Sequence, residues 1–172
     1  MANPRWSRLG GTELIAFGKD LVTDRLKRLG CKVSQPTNPR DGKLVIHTRA
    51  GRRLEAFVST QRVGGYVFWT KRRLKPSEHR FAVLVVLGDE PEPDLYLVPS
   101  LEWADASPPL TDRDYEGGKS EPEYGIDDQR LIRDVASALR LDRRLSRDTF
   151  PVITAVADVG SWPSRRPVTR RC

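Results

Sequence analysis

Seven consecutive apolar residues, Phe81–Leu87 (FAVLVVL), constrain this chain more than any other segment. A strand that is apolar on both faces has to be covered on both sides, which calls for a layered domain. The length of 172 residues suits one such domain. An apolar fraction of 38% and a charged fraction of 31% fit a globular unit with polar loops and tails. The blocks FAVLVVL and PVITAVADV exclude a chain that is disordered throughout.

The segments around that strand supply the other layers. Thr12 can N-cap a helix, with Glu13 near its positive end. Leu14, Gly18, Leu21, Val22, Arg25, Leu26 and Leu29 recur at helical spacing, and Gly30 is a suitable stop. Cys31–Ser34 begins a short strand that the QPTNP segment breaks. Lys43–Thr48 and Arg53–Thr60 read as a hairpin turning at Ala50-Gly51. On the returning strand Leu54, Ala56 and Val58 share one face, and Glu55, Phe57 and Ser59 share the other. Tyr66–Thr70 is a further strand or aromatic turn, and Leu95–Val98 pairs with Phe81–Leu87. Leu101–Trp103 suits a single helical turn, and Ser107–Tyr124 reads as a polar loop. Asp127 can cap a second helix running to about Leu141, and Phe150–Val159 suits a last strand or buried segment. The expected fold is α/β: a single domain with one mixed β-sheet flanked by helices. A basic arm over 1–11 precedes the domain at 12–159, and a basic, mobile tail over 160–172 follows it.

The charge is unevenly spread. Residues 1–80 carry 18 Lys/Arg against 6 Asp/Glu, and residues 81–172 carry 12 against 17, so net charges of +12 and −5 sum to +7. A basic first half favours a polyanionic partner, nucleic acid above all. Arg49, Arg52 and Arg53 flank the hairpin turn, followed by Arg62 and the cluster Lys71, Arg72, Arg73 and Lys75. Tyr66, Phe68 and Trp69 lie among them, where rings can stack on unpaired bases. The acids at 89–94 and 112–123 can dock a basic protein partner or another copy, or can cover the basic half of their own chain.

Other chemistries find little footing. Cys31 and Cys172 form neither a disulfide framework nor a zinc site, and Cys31 suits a core position. His47 and His79 belong to no metal-ligand pattern. There is no GxSxG turn and no phosphate-cradling GxxxxGK[ST] or GxGxxG loop. The first eleven residues lack the apolar run of a signal peptide, and no segment approaches the roughly 20 apolar residues of a membrane span. A cytoplasmic setting is expected.

The helix with Gly18, the Gly30 stop, the KLVI and EAFVST strands and GGYVFW follow one another in order. VLVVL, LYLVPSLEW and the DYEGGKSEPEYGI loop come after them. Over roughly residues 12–125 this order resembles the PD-(D/E)XK nuclease-like superfamily, in a small, largely uncharacterised bacterial branch. The resemblance implies a restriction-endonuclease-like core. In that superfamily a helix carboxylate, a hairpin carboxylate and an acid-x-Lys triplet converge to hold Mg²⁺, a hard cation that needs oxygen ligands. Carried over position by position, these fall on Lys19, Lys43, Phe57 and Ser59, which cannot hold a divalent cation. The resemblance therefore implies a degenerate, non-cutting relative that binds nucleic acid, DNA in preference, as an accessory or regulatory protein without a cofactor. DNA repair, mobile-element control and phage defence are the contexts it suggests. A shifted register offers Asp41 and Glu55 as carboxylates, with Asp20 or Asp24 from the helix, for a weak Mg²⁺-dependent nuclease that still lacks the lysine. A protein-interaction module or oligomeric subunit is the third possibility.

Overall fold

In the computed structural model, residues 6–36, 42–64, 66–89, 92–106, 110–118 and 120–127 are described. The first long element is helix α1, Gly11–Arg28. Its N-cap is Gly10 rather than Thr12, because Glu13 reaches back and its Oε2 accepts the Gly10 N–H at 2.8 Å. At the other end the Gly30 N–H donates to Lys27 O at 2.8 Å and the Cys31 N–H to Leu26 O at 3.1 Å. These two bonds close a Schellman turn, which requires the left-handed backbone that Gly30 adopts at φ 80°.

Five strands form the large sheet: β1 (Lys32–Ser34), β2 (Lys43–His47), β3 (Arg53–Arg62), β5 (Arg80–Leu87) and β6 (Asp94–Pro99), side by side in that order. β3 and β5 are parallel, and every other pair is antiparallel. Parallel neighbours need a crossover, supplied here by β4 (Tyr66–Thr70), which leaves the large sheet altogether. β4 pairs instead with β8 (Glu123–Asp127), and β8 with β7 (Leu110–Arg113), giving a second, antiparallel sheet.

The expected strand parity of β3 is observed, and it divides the core in two. Leu54, Ala56 and Val58 join Leu44, Ile46, Phe81, Val83 and Val85 beneath Leu14, Val22 and Leu26 of α1. Phe57, Ala82, Leu84, Val86, Tyr96 and Val98 project the other way and meet Val67, Trp69, Leu74, Trp103, Leu110 and Ile126. β5 is thus buried along all of Phe81–Leu87, as its composition requires. Burying apolar area at about 25 cal/mol per Å² makes this strand the one whose cover matters most. Trp69 and Trp103 meet edge to face at 6.0 Å within the second cluster.

Several expectations are corrected. One mixed sheet flanked by helices becomes, among the described residues, one sheet with a helix on one face and a smaller sheet on the other. The polar segment 107–124 contains β7 and the start of β8, because Leu110 and Ile126 turn inward while Asp112 and Arg113 stay exposed. Asp127 is the last residue of β8. The expected helix to Leu141, the segment 150–159 and the basic tail lie outside the described residues, as do residues 1–5 of the N-terminal arm. No helix among the described residues is long and apolar enough to cross a membrane.

Gly18 sets how closely α1 approaches β3. A Cβ there would overlap the Thr60 hydroxyl. Alanine ordinarily favours a helix over glycine by about 1 kcal/mol. Here Gly18→Ala is expected to invert that sign and lower the stability by about 1–3 kcal/mol in urea denaturation, with Thr60→Ala recovering part of the loss.

Candidate functional site

Cross-strand register decides which charged side chains share a surface. Lys32 of β1 faces His47 of β2, and His47 faces Arg53 of β3. Val45 faces Glu55, and Glu55 faces Arg80 of β5. Lys43 faces Phe57, which fixes its side to the face opposite α1. Lys32, Lys43, His47, Arg53, Glu55 and Arg80 therefore occupy one half of one sheet face. The second core cluster draws on β3, β5 and β6 for its large-sheet members and on neither β1 nor β2, so the small sheet sits over the other half. Lys32, His47 and Arg53 are exposed, Lys43 and Arg80 half-buried, and Glu55 buried.

Glu55 is the hub. Its Oε1 lies 2.7 Å from Lys43 Nζ and 3.2 Å from an Arg53 Nη, and its Oε2 accepts from Arg80 Nε at 3.0 Å. Burial alone would raise the Glu55 carboxyl pKa, but hydrogen bonds from Lys43 and Arg80, with their charges, hold it below the ordinary glutamate range. The carboxylate is tied to three cations at once, so the cluster stays net positive.

The expected degenerate site is not assembled. Lys43, Phe57 and Ser59 lie on the face away from the helix, whereas Lys19 belongs to the helix on the other side of the sheet. Gly18, its neighbour, packs on Thr60, whose parity is that of Ala56 and Val58. Phe57 is buried in the second core cluster rather than lining a cleft. Asp41 lies outside the described residues. Glu55, the other carboxylate of the shifted register, is surrounded by ammonium and guanidinium groups, which repel a divalent cation. Asp20 and Asp24 lie on the helix, across the sheet from Glu55. Among the described residues no three His, Cys, Asp or Glu side chains gather as metal ligands.

The residues expected to hold phosphate divide differently from the expectation. Lys71 pairs with Asp112 and, at 2.8 Å, with Asp114, and these hydrogen bonds push its pKa up. Its ammonium also stands 5.2 Å from the centre of the Tyr124 ring. Arg72 pairs with Glu121 at 3.4 Å. Arg62 donates through one Nη to the carbonyls of Trp6, Ser7 and Leu9 at 3.1, 3.3 and 2.8 Å, which fastens the residues before α1 to the end of β3. The Arg49 guanidinium lies against Gly30 at the helix C-terminus, where a cation meets the negative end of the helix dipole. Arg52 and Arg53 follow the hairpin turn, and Arg73 and Lys75 follow β4. Of the eight, Arg53 joins the half-face, with its side chain 58% exposed.

Part of the basic excess of the first half is thus met by acids of the second. Lys71 and Arg72 use Asp112, Asp114 and Glu121, and Arg25 pairs with Glu92 at 3.5 Å. Lys32 and Arg80 were not singled out from sequence. Arg80 directly precedes the apolar strand, which is a readable signal, but only the β3/β5 register sets it beside Glu55.

No family model matches the chain, and no curated protein matches it in sequence.

The lowered Glu55 pKa fixes a sign. The folded state binds this proton less readily than the unfolded chain, so the contribution is fully present above the ordinary glutamate pKa and is lost as pH falls through the folded value. Glu55→Gln is expected to cost about 1–3 kcal/mol at neutral pH, below the cost of a fully buried pair because its partners are part-exposed. The wild-type and variant stabilities, measured by urea denaturation, are expected to converge as pH falls below the ordinary glutamate range.

Proposed function

We propose that this protein binds nucleic acid, DNA in preference, through the cationic half-face of β1, β2, β3 and the start of β5, and that it does not cut what it binds. One observation carries the reading. Among the described residues, Lys32, Lys43, Arg53 and Arg80 share that half-face with one strand carboxylate, Glu55, while Lys71 and Arg72 are matched by acids. A flat, net-positive sheet surface suits a phosphate backbone, which needs several cations at once and no cavity.

The non-cutting part rests on the chemistry of the residues present. Mg²⁺ requires oxygen ligands and local negative charge, and Glu55, the carboxylate that the described residues place on the half-face, is already held by three cations. On this reading the protein is an accessory or regulatory component. Kinship with the PD-(D/E)XK nucleases belongs to this reading through the sequence resemblance alone, and a helix followed by an antiparallel hairpin in a mixed sheet is compatible with it. The placement of Lys19 across the sheet from Lys43 and Phe57 counts against the particular register proposed for a lost active site.

The test is fluorescence anisotropy with labelled duplex and single-stranded oligonucleotides at several salt concentrations. Binding in the micromolar range is expected at low salt, with log K falling against log[salt] at a slope of about −3, as roughly three or four phosphate contacts would give. The pair Lys32→Gln and Arg53→Gln should reduce that slope by about 2 while leaving the fold intact, since both side chains are exposed. No detectable binding to duplex, single strand or RNA at micromolar protein would refute the proposal. Cleavage of supercoiled DNA in Mg²⁺ or Mn²⁺, abolished by EDTA and by Glu55→Ala, would support the nuclease alternative instead.

A further inference from the structure

The donors around Glu55 outnumber what it can accept. Two guanidiniums and one ammonium bring about thirteen N–H donors, and one carboxylate offers about four lone-pair sites. Those cations are drawn within 2.7–3.2 Å of a side chain that is itself only 10% exposed, so their heads are gathered rather than spread along the strand. Lys43, Arg53 and Arg80 come from three adjacent strands, and their side chains are 25%, 58% and 31% exposed. All three side chains are part-exposed, and exposed Lys32 and His47 adjoin them in the register of the same face.

We infer that this cluster is a subsite for a phosphate monoester at the end of a nucleic-acid strand, with Glu55 as its positioning residue. The inference rests on the proposed nucleic-acid binding and deepens it. Three cations against one carboxylate leave a local charge of +2, which matches a phosphomonoester dianion better than a singly charged diester. Guanidiniums held by a fixed carboxylate keep their forks oriented and lose little freedom when a phosphate takes up the other donors. A backbone diester offers only two unshared oxygens, whereas a terminal phosphate offers three, enough to meet Lys43, Arg53 and Arg80 together.

The experiment compares one labelled single strand with a 5′-phosphate, a 3′-phosphate, or hydroxyls at both ends, binding to the full chain at constant ionic strength. A strand with a terminal phosphate is expected to bind about tenfold more tightly than the hydroxyl strand, the worth of one charge-assisted hydrogen bond. That advantage should shrink as pH falls through about 6, where the monoester takes up a proton. Arg53→Gln should weaken every strand and abolish the advantage, so that the phosphorylated strand loses about tenfold more than the hydroxyl strand. Glu55→Gln should also reduce it, although it adds net positive charge; an increased preference would show that Glu55 opposes the phosphate rather than organising its ligands, and would overturn the positioning role. Equal affinity for all three strands would overturn the subsite and leave nucleic-acid binding standing. Binding to none of them would overturn both. Adenosine 5′-monophosphate bound as tightly as the phosphorylated strand would overturn the strand-end assignment in favour of a free nucleotide.

Discussion

Double-sided burial of β5 governs the architecture. Phe81, Val83 and Val85 need the helix, while Ala82, Leu84 and Val86 need the smaller sheet, and neither cover alone would satisfy the strand. β3 shares this arrangement through Ala56 and Phe57, which point to opposite layers. The parallel β3/β5 pair is therefore the spine, and the antiparallel strands extend it on either side. Where the smaller sheet stops short, the face it leaves is the one that carries Lys32, Lys43, His47 and Arg53. Packing and charge are two halves of a single sheet surface.

The electrostatics follow from that division. Away from the half-face, opposite charges are brought together across long sequence distances: Lys71 with Asp112 and Asp114, Arg72 with Glu121, Arg25 with Glu92. The exposed pairs among them contribute little to stability, at most about 1 kcal/mol each. Their effect on the outer field is larger, because they cancel charge that would otherwise attract polyanions indiscriminately. Among the described residues the half-face keeps its excess because Glu55 is outnumbered by Lys43, Arg53 and Arg80. Arg62 is spent differently, on three carbonyls that hold Trp6 in the first core, where its indole N–H reaches Gly88 O at 3.1 Å.

Much of this was legible in the residues. The α1 stripe, the Gly30 stop, the alternation of Leu54, Glu55, Ala56, Phe57 and Val58, and the two-sided β5 all follow from local periodicity. The smaller sheet was not legible, because β7 and β8 are short, polar on one side and separated from β4 by some forty to fifty residues. Gly125 shows the same difficulty: it reads as a loop glycine, yet the Tyr66 ring lies where its side chain would be. Charge asymmetry was legible as a total and not as a pattern, since pairing such as Lys71 with Asp112 depends on tertiary placement. The proposed convergence of Lys19 with Lys43, Phe57 and Ser59 met a simple obstacle: two-residue spacing gives a shared face but not which face the helix takes.

The excursion of β4 out of the large sheet has a consequence for how the chain assembles. Thr70 and Glu123 are cross-strand partners, so β4 cannot be paired until more than fifty further residues are available. The contacts that the helix, β1, β2 and β3 make with one another lie within the first 62 residues and have no such wait. Loop-closure entropy thus sets an order in time, with the helix-covered side consolidating first and the Trp69–Trp103 side sealed when the late strands arrive. During that interval one side of β5 stands bare, and it is then that this protein is most exposed to association with its own copies.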